Sequence, residues 1–544
     1  MTATRPPLED EDGEMTAGPF APDDEVEVAL RRRARKVSRR QFLPRAAAAA
    51  AGIVAAGAVG YELPHRSASR RKAAPASSPT PPSAPAADTT TPGNSRVQTF
   101  LTRPDLRPPA VRVTQLAAAP ASTPRFILLS PINAVPASDP QQGLMMVDRL
   151  GRLVWFSPTS SGSPFNLAVQ SYAGKPALTW WQGAVTNAHG EGAAEIGDDS
   201  FRSVKAVRAG DGLTTDLHDF QLTSHGTALI TAYETTTADL TSIGKSSKAQ
   251  VFVGHVQEID LNTGRVLFDW RSLDHVGIEE SLQPPPIPGQ GYDYFHLNSV
   301  AEMDDGNLLI SGRNTCTVYC VDRSNGRILW RMGGKHSDFS VSSTAAFWWQ
   351  HDARPHGSSA ITLFDNAGPA KATQSRGLVL AVDSSAKRVE LTRAFEHSAG
   401  FLSGTLGNVD LQSDGGAFIG WGAQPYFSQH TSDGTMILDG ELPIGVRSYR
   451  AHLADWVGHP ADGPRVVAQA NPAGGFAVHA SWNGATEIAR WTVLAGRTRS
   501  ALSEVGSQAW TGFETAIAVN SNGPYFAVAA LDSSGHELGR SPIV

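Results

Sequence analysis

The segment Tyr294–Gly334 places three polar side chains where packed strands are normally apolar. His296 and Asn298 stand at the start of an alternating strand pattern, and Arg313 stands at the end of the strand that returns from an Asp-Asp-Gly turn at 304–306. In such a hairpin Asn298 lies nearly opposite Arg313, and His296 is one same-face position away. An imidazole, an amide and a guanidinium on one rim are costly to bury unless a charged or polar ligand uses them. The hairpin is therefore predicted to bind an anion.

The same strand–turn–strand unit recurs elsewhere, and in two places it also begins with a histidine. His218 opens the stretch HDFQLTSHGTALIT, and His351 opens HDARPHGSSAITLF. Repeats of roughly 40 to 60 residues built only of short strands are typical of β-propellers, whose blades direct the starts of their inner strands toward a central channel. His218, His296 and His351 are therefore expected to converge from separate blades. Six units are predicted: Arg125–Pro158, Phe165–Val207, Asp216–Ser272, Tyr294–Gly334, Gln350–His397 and Leu406–Pro443.

These polar residues also have other interpretations. Three converging imidazoles are a potential zinc site, although a guanidinium at Arg313 would repel the metal. Arg313 has a structural alternative in an ion pair with Asp322, and Asn298 has one in capping the hairpin. Asp219 and Asp352 each follow a histidine, so on a strand they face the other way and are poor partners for it. The favoured interpretation is an anion site that uses no metal.

Composition indicates a large all-β protein. A chain of 544 residues is too long for a single hydrophobic core and suits two folded domains with unfolded ends. The 52 glycines and 12 tryptophans fit turn-rich β-structure, and the net charge of −6, with both signs mixed along the chain, offers no basic face for nucleic acid. Cys316 and Cys320, on one extended strand, lie about 13 Å apart by strand rise, so they cannot pair with each other. They are expected to be small buried residues.

The first 120 residues are predicted to be targeting and linker sequence. Residues 1–37 form an acidic and then basic extension, and residues 38–61 hold Ser-Arg-Arg-Gln-Phe-Leu before an alanine-rich apolar run. This order resembles a Tat export signal, and the run is short for a bilayer span of roughly 20 residues. Residues 62–120 contain a Pro/Ser/Thr-rich flexible spacer. We expect an exported protein of the cell envelope or exterior, with an uncleaved membrane anchor or a disordered basic tail as alternatives.

The remainder of the chain is predicted to form two domains. Residues 121–457 make up the six-bladed propeller, which ends in a connector at Arg447–Gly458. Residues 458–544 show short alternating strands with the size and pattern of a small Ig- or fibronectin-like β-sandwich. This C-terminal domain is expected to be a scaffold that carries no chemistry.

Several of these stretches together resemble the arylsulfotransferase family, the exported, PAPS-independent enzymes with a six-bladed propeller. The resemblance runs over roughly residues 121–457 and includes SWNGAT at Ser481 in the appended domain. A generic propeller does not carry His-x-Asn followed by an arginine at the end of the return strand. The stretches are HDFQLTSHGTALIT, YFHLNSVAEMDDGNLLISGRN, FWWQHDARPHGSSAITLFDNAG and PALTWWQG.

The resemblance implies a role for each site residue. His351 corresponds to the histidine nucleophile that takes the sulfuryl group, with His356 as the alternative. His296 and Arg313, with Asn298 as a substrate-binding residue, correspond to the cluster that holds the sulfonate oxygens. His218 corresponds to a further active-site histidine. The implied reaction moves a sulfuryl group from a phenolic sulfate donor to a phenol acceptor by ping-pong turnover, with no cofactor.

Chemistry supports this reaction, and two other functions compete with it. A neutral imidazole is a good nucleophile, and Arg313 with a protonated His296 would stabilise charge on the sulfonate oxygens and the departing phenolate. His218 or His296 would then accept the acceptor phenol's proton. One competitor is a non-catalytic propeller that binds an anionic envelope ligand through the same cluster. The other is a metal-dependent hydrolase.

Overall fold

The described chain is built from β-strands. The computed structural model describes residues 95–134, 139–287, 289–368, 374–472, 474–521 and 523–544. Over these residues it contains no α-helix and three short 3₁₀ helices, at Thr241–Ile243, Ser272–Asp274 and Ile278–Glu280. No helix in this part of the chain is long and apolar enough to cross a membrane. The twin-arginine segment and most of the predicted linker lie outside the described residues.

The strands up to residue 454 form six antiparallel groups, numbered along the chain. The first is β26 (Val446–Ala454), β2 (Phe126–Asn133), β3 (Gly143–Asp148) and β4 (Leu153–Pro158). The second is β5 (Ser163–Tyr172), β6 (Lys175–Thr186), β7 (His189–Gly197) and β8 (Ser203–Val207). The third, joined to the second by one bridge between Gly192 and Thr215, is β9 (Thr214–Leu222), β10 (Thr227–Ala238), β11 (Ala249–Asp260) and β12 (Val266–Arg271).

The other three groups follow the same order from inner to outer strand. The fourth is β13 (Leu297–Glu302), β14 (Leu308–Gly312), β15 (Thr317–Val321) and β16 (Ile328–Gly333). The fifth is β18 (His351–His356), β19 (Ala360–Asp365), β20 (Arg376–Asp383) and β21 (Arg388–Phe395), with the short β17 (Ser340–Val341) parallel to β21. The sixth is β22 (Asn408–Leu411), β23 (Ala417–Gly420), β24 (Tyr426–His430) and β25 (Met436–Glu441), with β1 (Arg112–Gln115) beside β25.

The hairpin of β13 and β14 forms as its sequence predicts. Gly306 has φ +82°, a left-handed conformation that glycine adopts without steric cost, and its N–H donates to the Met303 carbonyl. The ladder pairs Leu297 with Gly312 and Ser299 with Ser311, so that a bulge falls at Asn298. The bulge and the strand end bring Asn298 and Arg313 to the same rim.

The predicted connector at Arg447–Gly458 is wrong, because Val446–Ala454 is the strand β26. It pairs antiparallel with β2, for example Leu128 with His452. The first predicted unit supplies only three strands, and the inner edge of its sheet needs a partner for its backbone N–H and C=O groups. Strand β26 therefore joins the end of the repeated region to its beginning.

Neighbouring groups bury shared apolar cores. Val256 and Trp270 of the third group pack with Ile310 of the fourth, and the other consecutive pairs are packed in the same way. The sixth and first groups also share a core, in which Phe418 packs with Ile127. Each group therefore contacts one group on either side.

The C-terminal residues form two further sheets over one core. One sheet is β27 (Arg465–Ala470), β28 (Phe476–Ser481) and β31 (Glu514–Val519), and the other is β30 (Ala501–Ala509), β29 (Arg490–Thr498), β32 (Tyr525–Leu531) and β33 (Glu537–Arg540). Trp491, Val478 and Phe526 are buried together between them. The side-chain amide of Asn483 bonds the N–H and the C=O of Phe156, both at 2.9 Å, and so covers the outer edge of β4.

Cys316 and Cys320 are both buried and both free, as the sequence predicts. Burial raises the pKa of the Cys316 thiol to about 11 and that of Cys320 to about 12. Neither thiol is therefore reactive near neutral pH.

Candidate active site

His351, the first residue of β18, is almost wholly buried and has a defined tautomer. Its Nδ1 lies 2.6 Å from the Gly407 carbonyl oxygen, which only accepts, so Nδ1 carries the hydrogen. Nε2 therefore holds a lone pair. The Tyr449 hydroxyl lies 3.0 Å from Nε2 and donates to it. The geometry is that of a neutral imidazole whose nucleophilic nitrogen faces a phenol.

The surroundings of His351 keep the imidazole neutral. Burial first, and then the positive charge of Arg450, hold the pKa of His351 well below its usual range. The backbone carbonyl of Gly407 opposes this shift because it stabilises the protonated ring, but burial outweighs it. His351 is therefore unprotonated, and so nucleophilic, throughout the neutral range.

His296 precedes β13 and has a left-handed backbone with φ +52°. Its N–H donates to Oδ1 of Asp293 at 3.0 Å, and its Nδ1 lies 2.5 Å from Oδ2 of the same carboxylate. Arg313 N–H donates to the His296 carbonyl at 3.0 Å. Burial lowers the pKa of His296 to about 4, despite the opposing effect of Asp293. His296 is therefore neutral near pH 7, whereas the sequence-based scheme uses its protonated form in the transition state.

His218 in β9 has the same kind of support. Its Nδ1 lies 2.5 Å from Oδ2 of Asp216, and its own N–H donates to that oxygen at 2.9 Å. Its ring centroid lies 4.8 Å from that of His296 in an edge-to-face arrangement, and 6.1 Å from the Tyr449 ring, which lies 5.1 Å from His351. Two of the histidines thus flank Tyr449, and the third, His296, packs against His218.

Arg313 and Asn298 complete the predicted set. The Arg313 guanidinium lies 5.2 Å from the Trp349 ring centroid and donates to Asn314 Oδ1 at 3.1 Å and to the Gly404 carbonyl at 2.8 Å. Its positive charge is one of the influences that lower the pKa of His296, after burial. Asn298 donates from Nδ2 to the Gln350 carbonyl at 2.6 Å, while its buried Oδ1 makes no hydrogen bond. Asn298 therefore holds the main chain immediately before His351.

His356 lies at the other end of β18 from His351. Its Nε2 is 2.9 Å from Thr362 Oγ1, and burial lowers its pKa. The geometry places His351, and not His356, beside His218, His296 and Tyr449.

The two aspartates that follow histidines do not pair with them, as the sequence predicts, although Asp352 lies at a bulge of β18 with φ +56° and not in a regular strand. Asp219 and Asp352 instead form a buried ion-pair layer with Arg354 and Arg450. Arg450 reaches further, donating to the carbonyls of His218 and Asn298 at 3.2 and 3.3 Å. This layer ties β9, β18 and β26 together beneath the site.

Some site residues were missed by the sequence analysis. Tyr449 and Arg450 lie in the segment predicted to be a connector. Asp216 stands two positions before His218, a spacing that puts both on one strand face and could have revealed the pair. Asp293 and His189 carry no such signal, since His189 comes from β7 of another sheet and meets Asp293 only in three dimensions, at 3.1 Å.

One group of side chains in the described residues has metal-ligand character. Nε2 of His189, a carboxylate oxygen of Asp293 and Nδ1 of His296 all lie within 4.8 Å of one another. The oxygen Oδ2 of Asp293 already bridges the two imidazoles by hydrogen bonds, and 2.5 Å between Oδ2 and His296 Nδ1 leaves no room for an ion between them. A metal would have to open this bridge, so the residues as placed fit a hydrogen-bonded network better than a coordination site.

Solved structures resemble this chain only loosely. A protein of unknown function from Bacteroides caccae is 12% identical with a TM-score of 0.37, covering 60% of this chain and 98% of its own. A Lactobacillus plantarum protein is 13% identical with a TM-score of 0.33, covering 72% and 98%. YCF48 from Cyanidioschyzon merolae is 12% identical with a TM-score of 0.30, covering 68% and 95%. Scores this low carry no argument about fold or function.

Sequence comparison is more informative. Curated proteins yield no match. A family model described as arylsulfotransferase (ASST) matches residues 168–442, which is more than half of the chain and spans His218, His296, Asn298, Arg313 and His351. The chain belongs to the arylsulfotransferase family.

Proposed function

We propose that the protein moves a sulfuryl group from a phenolic sulfate ester to a phenol through a sulfohistidine at His351. The observation that carries the proposal is the tautomer of His351, whose Nδ1–H is committed to Gly407 and whose Nε2 lone pair accepts from the Tyr449 hydroxyl. Family membership supports an aryl sulfotransferase in general. The ping-pong course, the phenolic sulfate donor and independence from PAPS belong to the proposal.

The first half-reaction forms the N–S bond and breaks the S–O bond to the aryl group. Nε2 of His351 attacks sulfur, the aryl oxygen leaves as a phenolate, and the positive charge left on the ring is shared with Nδ1–H and the Gly407 carbonyl. Arg313 supplies a cation near the sulfonate oxygens, where such a donor contributes about 3–4 kcal/mol. Tyr449 must release Nε2 before attack, because its hydroxyl occupies the lone pair.

The second half-reaction returns His351 to its neutral form. The oxygen of an acceptor phenol attacks sulfur, the N–S bond breaks, and the proton of the phenol goes to a nearby imidazole. His296 can accept it, because burial keeps its pKa low and its Nδ1 hydrogen is bonded to Asp293, and His218, whose Nδ1 is bonded to Asp216, lies beside it. No redox centre or nucleotide takes part in this scheme.

We also propose that residues 121–457 form a closed six-bladed propeller with a C-terminal β-sandwich at 458–544. The pairing of β26 with β2 and the core shared by the sixth and first groups support closure. The two C-terminal sheets over one core support the sandwich. Closure matters to function because His218, His296 and His351 come from three groups and only a ring brings their strand starts together.

Export by the Tat pathway remains a proposal based on the sequence at 38–61. Replacement of both Arg39 and Arg40 by lysine is expected to leave the protein in the cytoplasm, as measured by cell fractionation with an antibody. Unchanged export would contradict the proposal.

The test of the transferase uses 4-nitrophenyl sulfate. The wild-type protein is expected to release nitrophenolate when phenol is present, and intact mass without acceptor should show one added SO3 group that is labile to acid. His351→Ala should abolish both signals, whereas His356→Ala, on the same strand but outside the pocket, should keep them. A wild-type protein without release or adduct would refute the proposal.

A metal-dependent hydrolase is the second candidate, because His189, Asp293 and His296 group three potential ligands. It predicts a stoichiometric metal by elemental analysis and loss of activity with a chelator. The third candidate function is that of a non-catalytic anion binder. It predicts thermal stabilisation by aryl sulfates without turnover.

A further inference from the structure

We propose that Asp293, held between His296 and His189, is a positioning residue that makes His296 the base for the acceptor phenol. The inference rests on the proposed transfer reaction and assigns one of its steps. Neither the repeat pattern nor the motifs point to Asp293 or His189.

The first step of the argument is the tautomer of His296. Oδ2 of Asp293 accepts from Nδ1 at 2.5 Å, and Oδ1 accepts the His296 backbone N–H at 3.0 Å. Both carboxylate oxygens thus hold the same residue, one at the ring and one at the main chain. An ionised carboxylate only accepts, so Nδ1 carries the hydrogen, and in the neutral ring Nε2 then carries the lone pair. The arrangement matches the role of the aspartate in a Ser-His-Asp triad.

The second step is the charge of Asp293. Burial by itself would raise the pKa of Asp293, but His296 and His189 outweigh it and hold that pKa far below its usual range. His189 is the second support, with Nε2 at 3.1 Å from Oδ2 and its ring 4.0 Å from the Tyr233 ring. Burial opposes protonation of His189, yet Asp293 raises its pKa overall. Asp293 is therefore a fixed anion throughout the neutral range.

The third step is a link between the base and the anion-binding cation. Asn314 donates from Nδ2 to the Asp293 carbonyl at 2.6 Å and accepts on Oδ1 from Arg313 at 3.1 Å. The backbone N–H of Arg313 in turn donates to the His296 carbonyl. The guanidinium is thus linked through Asn314 to the main chain of Asp293, and the main chains of Arg313 and His296 are bonded to each other.

The fourth step distinguishes His296 from His218. The side chain of His296 is 13% exposed, whereas that of His218 is 4% exposed. The carboxylate that holds His218 is also bound by backbone groups, since Asp216 accepts from Gly190 N–H at 2.6 Å and from His218 N–H at 2.9 Å. A base must come within hydrogen-bond distance of the phenol, so the more open imidazole is the one that receives the proton.

Loss of the basic Nε2 of His296 should slow only the acceptor half-reaction. Asp293→Asn lets the new amide N–H donate to Nδ1 and so favours the tautomer with hydrogen on Nε2, which cannot accept a proton. Nitrophenolate burst amplitude on mixing with 4-nitrophenyl sulfate should persist. Discharge of the sulfuryl enzyme by phenol should slow on the order of 100-fold, the range of general-base catalysis. With an acceptor already ionised at the assay pH the defect should disappear, because a phenolate needs no base.

The controls separate this role from a structural one. Asp269 pairs with His255 Nδ1 at 3.0 Å, away from the pocket, so Asp269→Asn is a matched carboxylate–histidine variant that should discharge at the wild-type rate. His189→Gln should show the same acceptor dependence as Asp293→Asn with a smaller defect, and it serves if Asp293→Asn does not fold. Equal slowing for phenol and for ionised acceptors, or no slowing, would overturn the role of Asp293. Absence of a burst in the wild type would instead refute the transfer reaction itself.

Discussion

The hydroxyl of Tyr449 donates a hydrogen bond to Nε2 of His351 over 3.0 Å. The donor comes from β26, the strand that joins the end of the repeated region to its start, and the acceptor is the candidate nucleophile. The His218 carbonyl oxygen, 3.2 Å from the same hydroxyl, is a second and more distant acceptor for its one hydrogen, so Tyr449 contacts two of the three histidines. Burial keeps the Tyr449 pKa well above its usual value, so it stays a neutral donor.

Tyr449→Phe should raise the pKa of His351, because the hydroxyl stabilises only the neutral imidazole. Loss of one hydrogen bond worth about 0.5–1.5 kcal/mol corresponds to a rise of up to about one pH unit. The measurement is a nitrogen-15 NMR titration of the His351 ring, assigned by its absence in His351→Ala. Tyr426→Phe, whose ring packs on Phe401 and His397, should leave that titration unchanged. An unchanged His351 pKa in Tyr449→Phe would show that the hydroxyl donates elsewhere.

Sulfuryl transfer should persist well below the ordinary histidine pKa of about 6.5. In the proposed reaction His351 is the nucleophile and His296 the base, so each is active when neutral. Burial lowers the pKa of His296 to about 4 and holds that of His351 well below its usual range. For His296, Asp293 opposes this lowering, whereas the positive charges of Arg313 and of a protonated His218 add to it. Both rings therefore stay neutral as pH falls to 5, and kcat/KM should decline only near pH 4. A decline centred near pH 6.5 would contradict this assignment.

The lowered pKa values of His296 and His351 also make the stability of the fold depend on pH. Between about pH 6.5 and 4 the unfolded chain binds protons at these histidines and the folded chain does not, so acid favours unfolding in that window. Urea midpoints should therefore fall as pH is lowered from 7 to 5, and His296→Gln should reduce that dependence. An equal pH dependence in both proteins would contradict the lowered pKa of His296.

Sequence alone predicted the local hairpins and the three histidines, but it missed the pairing of β26 with β2 and the residues that support the histidines. His218, His296 and His351 stand at equivalent places in a repeated pattern, and Asp219 and Asp352 do not pair with them, as predicted. Tyr449 was missed because its strand pairs with residues more than 300 positions earlier, a partnership that no local pattern encodes. The contact of His189 with Asp293 joins two segments that are distant in sequence, and the repeated pattern gives no indication of it.

Arg313→Lys should slow the nitrophenolate burst by about 100-fold, since removal of one oxyanion donor costs 10²–10³ in rate. Lysine keeps the charge but not the planar fork that reaches Asn314 and Gly404 while lying over Trp349. Stopped-flow absorbance measures the burst. Arg331→Lys is the matched control, because its guanidinium also lies over an aromatic ring, at 5.9 Å from Tyr319, outside the candidate site. A burst at the wild-type rate in Arg313→Lys would exclude the guanidinium from the transition state.

Arg450→Met should destabilise the fold more than any exposed arginine substitution. The change leaves Asp219 and Asp352, both almost wholly buried, with Arg354 as their remaining cation, and loss of one partner from a buried ion pair costs about 3–5 kcal/mol. Urea unfolding followed by tryptophan fluorescence measures the loss. Arg112→Met, which removes the exposed pair with Glu441, should cost less than about 1 kcal/mol. Equal costs for the two variants would show that the buried layer does not hold β9, β18 and β26 together beneath the nucleophile.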